Sequence, residues 1–144
     1  MKAESLNPAI EIPMNNKSAP YHAHIYYPLE SRAAAESLYQ RLSKIQESGE
    51  IPRLLYVGQL RDRKVGPHPI PQFEIHFTQD VLPNILPILE ASGLTALVHP
   101  LTDDDVADHT TLAYWIGEPL ALDLTTLDPP GMNKGVARFA KSDF

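Results

Sequence analysis

The sequence contains no cysteine. That excludes a disulfide framework, a thiolate metal site, an iron–sulfur cluster and a cysteine nucleophile. It also contains no apolar run of about 18 residues or more, so no membrane-spanning helix is expected. The stretch Met1 to Asn16 mixes Lys2, Glu4, Glu11 and prolines and lacks the apolar core of a signal peptide. A cytoplasmic address is therefore the default expectation. No Gly-x-Ser-x-Gly elbow and no glycine-rich phosphate loop is present. One absence is regional: from Val65 to Asn133 there is not one lysine or arginine. The same stretch holds ten acids and four of the six histidines. Such a region suits a bound cation or forms a plainly acidic surface. The net charge of −6 argues against a nucleic-acid partner.

What is present is enough for one globular domain. A chain of 144 residues, 43% hydrophobic, buries roughly two-thirds of its unfolded surface and needs no covalent staple. Residues 1–19 read as a tail broken by Pro8 and Pro13, residues 20–120 as the domain, and 121–144 as an irregular C-terminal segment. Tyr21 to Tyr27 reads as a strand closed by Pro28. Ser31 to Ser48 reads as a helix. Ala35, Leu38, Leu42 and Ile45 recur at helical spacing, Ser31 is placed to cap it, and Gly49 to end it. Arg53 to Gln59 is a second strand, Arg61 to Pro71 a proline-rich loop, and Gln72 to Thr78 a cleanly alternating third strand. Asp80 to Ser92 reads as a second helix with a kink or broken turn at Pro87. Leu94 to Val98 is a fourth strand. Thr102 to His109 is an acidic turn or short helix capped by Thr102 or Asp103. Thr110 to Ile116 is a fifth strand.

The order β-α-β-β-α-β plus one strand predicts an α+β, ferredoxin-like split βαβ sandwich. Its antiparallel sheet carries two helices on one face, the spatial strand order 4-1-3-2, and an extra C-terminal strand. The other face is left open for a partner, a ligand or a second copy of the chain. A bare sheet face predicts a homodimer.

Side chains alternate across a strand, so parity assigns faces. The apolar sets Ala23, Ile25, Tyr27, then Phe73, Ile75, Phe77, then Leu94, Ala96, Val98 must lie against the helices. His22, His24, Glu74, His76 and His99 then share the open face. Topology brings His22, His24, His76 and His99 to one end of it, with Glu74 one pleat inward. Adjacent strands are about 4.8 Å apart, close enough for neighbouring imidazoles to share one metal ion. These four histidines are the candidate metal ligands. Without cysteine, imidazole and carboxylate donors with open positions fit non-haem Fe(II), with Zn or Mn as alternatives. Glu74 is either a ligand or the partner that orients an imidazole. His68 sits in the loop at the opposite end and joins only if that loop folds back or a second subunit supplies it. Held between Pro67 and Pro69, its side chain is expected to point outward, toward substrate contact or proton transfer. The Asp103–Asp105 run lacks EF-hand spacing and reads as a helix N-terminus.

Three segments carry a resemblance. Tyr21-His22-Ala23-His24-Ile25-Tyr26-Tyr27, then Gly66-Pro67-His68-Pro69 followed by Phe73-Glu74, then Leu97-Val98-His99-Pro100-Leu101-Thr102 resemble the DOPA 4,5-dioxygenase family, a fungal and bacterial group of small, cysteine-poor proteins. The stretch His109 to Gly117 is similar to it as well. The resemblance covers about residues 20 to 120. It implies a ferredoxin-like fold and extradiol cleavage of a catechol by O₂, in fungi of DOPA. Such chemistry needs Fe(II), three imidazole ligands and a further histidine to accept a catechol proton. A neutral imidazole of pKa about 6.5 suits that task. His22, His68 and Glu74 are the candidates for catalytic proton handling or orientation. Tyr26, Tyr114 and Trp115 are placed for aromatic walls or for packing. Arg61, Arg63 and Lys64 are placed for a substrate carboxylate or for a solvated turn. Two other readings stay open: a cofactor-free monooxygenase on the same fold, and a small metal- or ligand-binding module that dimerises through the sheet.

Overall fold

Strand and helix patterns in the chain resolve into two layers in the computed structural model, which describes residues 18–141. The expected tail falls almost wholly on residues 1–17, outside the described residues. The strands are β1 (Pro20–Tyr26), β2 (Leu54–Val57), β3 (Gln72–Thr78), β4 (Ala96–Pro100) and β5 (Tyr114–Ile116). The helices are α1 (Arg32–Ser48), α2 (Leu82–Ala91) and the short α3 (Asp105–His109). All strand pairs are antiparallel, in the order β2-β3-β1-β4-β5. This is the expected 4-1-3-2 order with β5 added beside β4.

The helix-side core is the set that parity selects. Ala23, Ile25 and Tyr27 pack with Phe73, Ile75 and Phe77, with Ala96 and Val98, and with the apolar faces of α1 and α2. Ala35, Leu38, Leu42 and Ile45 supply the α1 stripe. Gly49 ends that helix at φ 75°, a left-handed position that favours glycine. Ser31 stands at the N-cap without a side-chain hydrogen bond, because a 3₁₀ turn over Leu29–Ser31 leads into the helix instead.

Three local expectations are corrected. Helix α2 runs unbroken through Pro87. Pro83 and Pro87 are both exposed, so the one missing N–H leaves a carbonyl on the solvent side, where water satisfies it. The α3 cap is Asp104, whose carboxylate accepts the Ala107 N–H at 3.0 Å. Strand β4 extends two residues further than expected, to Pro100, and β5 is only three residues long.

The largest difference concerns the second face of the sheet. Every residue of β3 and β4 is buried, so neither face is bare. The chain covers the face itself. Ile70, Trp115, Leu120 and Leu122 pack over Tyr26, Leu97 and Ala113. The loop before β3 and the segment after β5 are joined where the Asp123 N–H donates to the Pro67 carbonyl at 2.8 Å. Further along, the Gly131 N–H donates to the Asp103 carbonyl at 2.9 Å. The argument for a second copy as the cover of a bare sheet therefore no longer applies.

A histidine-lined candidate metal centre

Strand register places the site. His22 on β1 stands directly opposite His76 on β3 and His99 on β4. His24 stands opposite Glu74 and Leu97. The structure thus brings together all five open-face residues that the alternation selects. It also brings in the two remaining histidines. The proline loop folds back over the sheet, and the His68 ring lies 4.1 Å from the His24 ring. Its side chain is 1% exposed, not outward. The reason is packing: Ile70 joins the apolar cluster on this face, and the Tyr26 hydroxyl is hydrogen-bonded to His68 Nδ1 at 2.6 Å.

His109, on α3, was not among the candidates, yet its ring is 4.3 Å from that of His99. The available signal was the spacing Asp105 to His109, which puts both on one helical face turned toward the site. All six histidines of the chain are buried. Tyr114 pairs with Val98 and so belongs to the helix-side core, while Trp115 stacks on Tyr26 at 5.9 Å.

Hydrogen-bond partners decide what each imidazole can offer. His99 Nδ1–H donates to the Pro100 carbonyl at 2.7 Å, and His24 Nδ1–H donates to Gln72 Oε1 at 3.1 Å. In a neutral ring only one nitrogen carries hydrogen, so both Nε2 atoms present lone pairs. They face each other at 3.0 Å. Two lone pairs at that separation repel unless a proton or cation lies between or beside them. Among the described residues, His22 Nε2 is buried with no hydrogen-bond partner. His109 Nδ1–H donates to the Asp105 carbonyl at 2.7 Å, which likewise frees its Nε2. A ring N–H tied to a carbonyl behind a free Nε2 is the arrangement metal-binding histidines commonly adopt.

Two groups have ligand atoms all within 4.8 Å of one another: His22, His24 and His99, and His22, Glu74 and His76. They differ in what is left to give. In the second, the Ala140 N–H donates to His76 Nδ1 at 2.8 Å, and His76 Nε2–H donates to Glu74 Oε2 at 2.5 Å. Both nitrogens of His76 are therefore engaged. In the first group, all three residues line a cavity of about 150 Å³. His76 and Glu74 are not among its lining residues; Phe139 covers His76, its ring 5.6 Å away and nearly parallel. Glu74 Oε1 comes within 3.6 Å of His24 Nδ1.

Burial dominates the electrostatics. Loss of water holds His22, His24, His68 and His99 well below the usual imidazole range, and neighbouring imidazoles add to it. His109 is lowered for the same reason, against the pull of the Asp105 carbonyl and carboxylate. These five imidazoles are thus neutral near pH 7, the form that ligates metal and accepts protons. Burial raises the Tyr26 phenol, which keeps its proton. Asp108, behind His109, is pushed up to about 6 by burial although Thr102 donates to it twice.

The cavity walls come from distant chain: Gly66 and Pro67 of the loop, Leu101 and Asp105, and the C-terminal residues Asp128, Asn133, Lys134 and Arg138. Arg61, Arg63 and Lys64 are not among them. No local sequence signal marks the C-terminal residues, because they reach the site only through long-range contacts.

Residues 21–126 match the Dopa 4,5-dioxygenase family. The chain is 29% identical over 112 residues to the DOPA 4,5-dioxygenase of Amanita muscaria, covering 74% of this chain and 49% of that protein. It is 31% identical over 115 residues to an uncharacterized 21.2 kDa protein of Botryotinia fuckeliana, covering 73% of this chain and 61% of that one. The chain thus spans only about half to three-fifths of the curated relatives it matches. A crystal structure from Nostoc punctiforme, described as that of a "putative dioxygenase", superposes with a TM-score of 0.66 at 30% identity. That match covers 80% of this chain and 96% of the Nostoc protein. Among the described residues, no helix is long and apolar enough to cross a membrane.

Proposed function

The chain belongs to the Dopa 4,5-dioxygenase family, and from that premise we propose that it is an extradiol dioxygenase that opens the ring of a catechol with O₂ at a non-haem Fe(II) site. The carrying observation is the pair of facing Nε2 atoms of His24 and His99, 3.0 Å apart, beside the unpartnered Nε2 of His22. This donor set fits a divalent ion that takes imidazole nitrogen, and the three residues line the cavity where a substrate has room. His22, His24 and His99 would hold it. What Fe(II) supplies when bound is a lowered pKa for the catechol hydroxyls and an electron path between ring and O₂.

The rest is done by the chain. The carbonyls of Pro100 and Gln72 fix the ring orientations of His99 and His24. His76 is assigned a supporting role in place of ligation, because both its nitrogens are engaged; with Glu74 it forms a buried pair that backs His22 and His24. His68 is assigned proton transfer. In the tautomer that donates Nδ1–H to the Tyr26 oxygen, Nε2 has the lone pair that would take a catechol proton, and burial keeps the ring neutral for it. The covering segments exclude water from the reacting face.

The test is oxygen uptake with a panel of catechols by protein loaded with Fe(II) under anaerobic conditions, followed by the absorbance of the ring-opened product. Uptake should vanish on chelation and return with Fe(II). Uptake that survives the chelator would favour the cofactor-free monooxygenase. Bound metal without uptake for any catechol would favour a binding module.

A further inference from the structure

We propose that the C-terminal strap, residues 133–141, is a positioning element that selects which of two overlapping ligand groups holds the metal, and that it acts through Phe139 and the main-chain N–H of Ala140. The inference rests on the metal-centre part of the dioxygenase reading. It concerns a stretch of chain wholly beyond the family-matched residues 21–126.

One group is His22, His24 and His99; the other is His22, Glu74 and His76. They share His22, so they are alternatives and not two sites. The strands do not choose between them, because His76 and His99 both stand opposite His22. The choice falls to the hydrogen bonds made by each ring.

A main-chain N–H can only donate. The Ala140 N–H lies 2.8 Å from His76 Nδ1, so that nitrogen is bare and the ring hydrogen sits on Nε2. Nε2–H then points to Glu74 Oε2, at 2.5 Å, and no lone pair of His76 is left for a metal. Water at Nδ1 would impose no such order, since water donates and accepts alike. With the strap lifted, the hydrogen is free to sit on Nδ1, and Nε2 turns bare beside the Glu74 carboxylate. His22, Glu74 and His76 then form a competent group of two imidazoles and a carboxylate.

The strap is fastened over these rings. Asn133 Nδ2–H donates to the Thr102 carbonyl at 2.7 Å, and Asn133 Oδ1 takes the Gly135 N–H at 3.0 Å. The Phe139 ring lies nearly parallel to those of His76 and His22, at 5.6 and 6.2 Å, and those two stack on each other at 4.0 Å. Ala140 has φ 64°, and among the described residues it is the only non-glycine with a left-handed backbone. Alanine adopts that conformation at a cost. The residue that makes the deciding hydrogen bond is therefore also the strained one. Glycine there removes the cost and keeps the N–H. Proline, with φ fixed at about −65°, can neither take the angle nor donate.

The experiment reads the His76 ring directly, by nitrogen NMR of the metal-free full chain with isotope-labelled histidines. The wild type and Ala140→Gly should show a bare Nδ1 and a hydrogen on Nε2. In Ala140→Pro and in Phe139→Ala the two nitrogens should move toward a mixture of tautomers. Ala140 stands outside every helix and strand, so the fold is not at stake. The same proteins are then titrated with Zn(II) against a chelating dye. On the Ala140→Pro background, His76→Ala should cost at least ~tenfold more affinity than it does beside the native Ala140, a coupling of the size found for residues in contact. On the Ala140→Gly background the smaller native cost should return. A hydrogen on Nδ1 in the wild type, a His76 pattern unmoved by Ala140→Pro, or an equal cost of His76→Ala on all backgrounds overturns this inference alone. A wild type that takes up no Zn(II) sinks both this inference and the metal reading. Zn(II) binding in the expected pattern, with no oxygen uptake by the Fe(II) form, sinks the dioxygenase reading alone.

Discussion

The two faces of the sheet are made from the same strands, yet they obey different physics. On the helix side, Ile75, Phe77 and their neighbours bury apolar area against α1 and α2, and many residues share the task. On the other side, six histidines and a glutamate are buried where hydrocarbon would be cheaper. The first face stabilises the protein. The second is held in place by it, at a cost in stability that the proposed metal site would offset. The difference teaches where to expect stability losses and where functional ones.

The sharpest way to separate the faces is pH. His22, His24, His68 and His99 are held below the ordinary imidazole pKa by burial, so between that value, about 6.5, and their lowered folded values the unfolded chain binds more protons. Stability of the metal-free protein should therefore fall as pH drops below about 6.5, by roughly 5 kcal/mol per pH unit once all four are engaged. Asp108 acts with the opposite sign. Its carboxyl is raised to about 6, so it favours the folded state more as pH falls, but it is one proton against those four, to which the lowered His109 adds another. Urea unfolding of metal-free protein at several pH values measures the slope. A flat profile between pH 7 and 5 would contradict neutral burial of the cluster. Added Zn(II) should move acid unfolding to lower pH, because metal and protons compete for the same nitrogens.

Within the helix-side core, Phe77→Ala should cost about 3–5 kcal/mol of unfolding free energy, from lost burial and the cavity left behind. Metal bound per folded molecule should not change. A loss of metal in that variant at a temperature where it stays folded would mean the two faces are not separable.

The reverse pattern is expected of His99→Ala. Metal affinity should fall by more than ~100-fold, beyond what loss of an outer hydrogen-bond partner costs. The melting temperature of the metal-free protein should hold or rise, since the variant removes one of the two Nε2 lone pairs that face each other at 3.0 Å. Competition with a chelating dye measures the first and calorimetry the second. His76→Ala sharpens the assignment within the cluster: both its nitrogens are engaged, so it should lose less affinity than His99→Ala.

The smallest effect is expected for His68→Ala, which should keep its iron and lower turnover of the best catechol at least ~tenfold. Loss of iron would make His68 a ligand, and wild-type turnover would remove it from the chemistry.

Much of this architecture is legible in the chain before any coordinates. Period-two alternation in 72–78 and helical spacing in 32–48 set the elements, and parity alone sorts Phe73, Ile75 and Phe77 from Glu74 and His76. Those signals are local, because a strand or helix periodicity is written in consecutive residues. The convergence of His22, His24, His76 and His99 also follows, because strand order and direction put their positions in register. Tertiary structure alone decided the rest. His68 lies buried against His24 because the proline loop folds back, a long-range outcome of Ile70 and Tyr26 finding partners across the sheet. His109, Asn133, Lys134 and Arg138 reach the cavity through contacts dozens of residues apart, which no local spacing encodes. The choice between His99 and His76 as ligand turns on which ring nitrogens are already hydrogen-bonded. The main-chain N–H of Ala140 and the carbonyl of Pro100 are what the proposed assignment rests on, and only the folded chain puts either beside an imidazole.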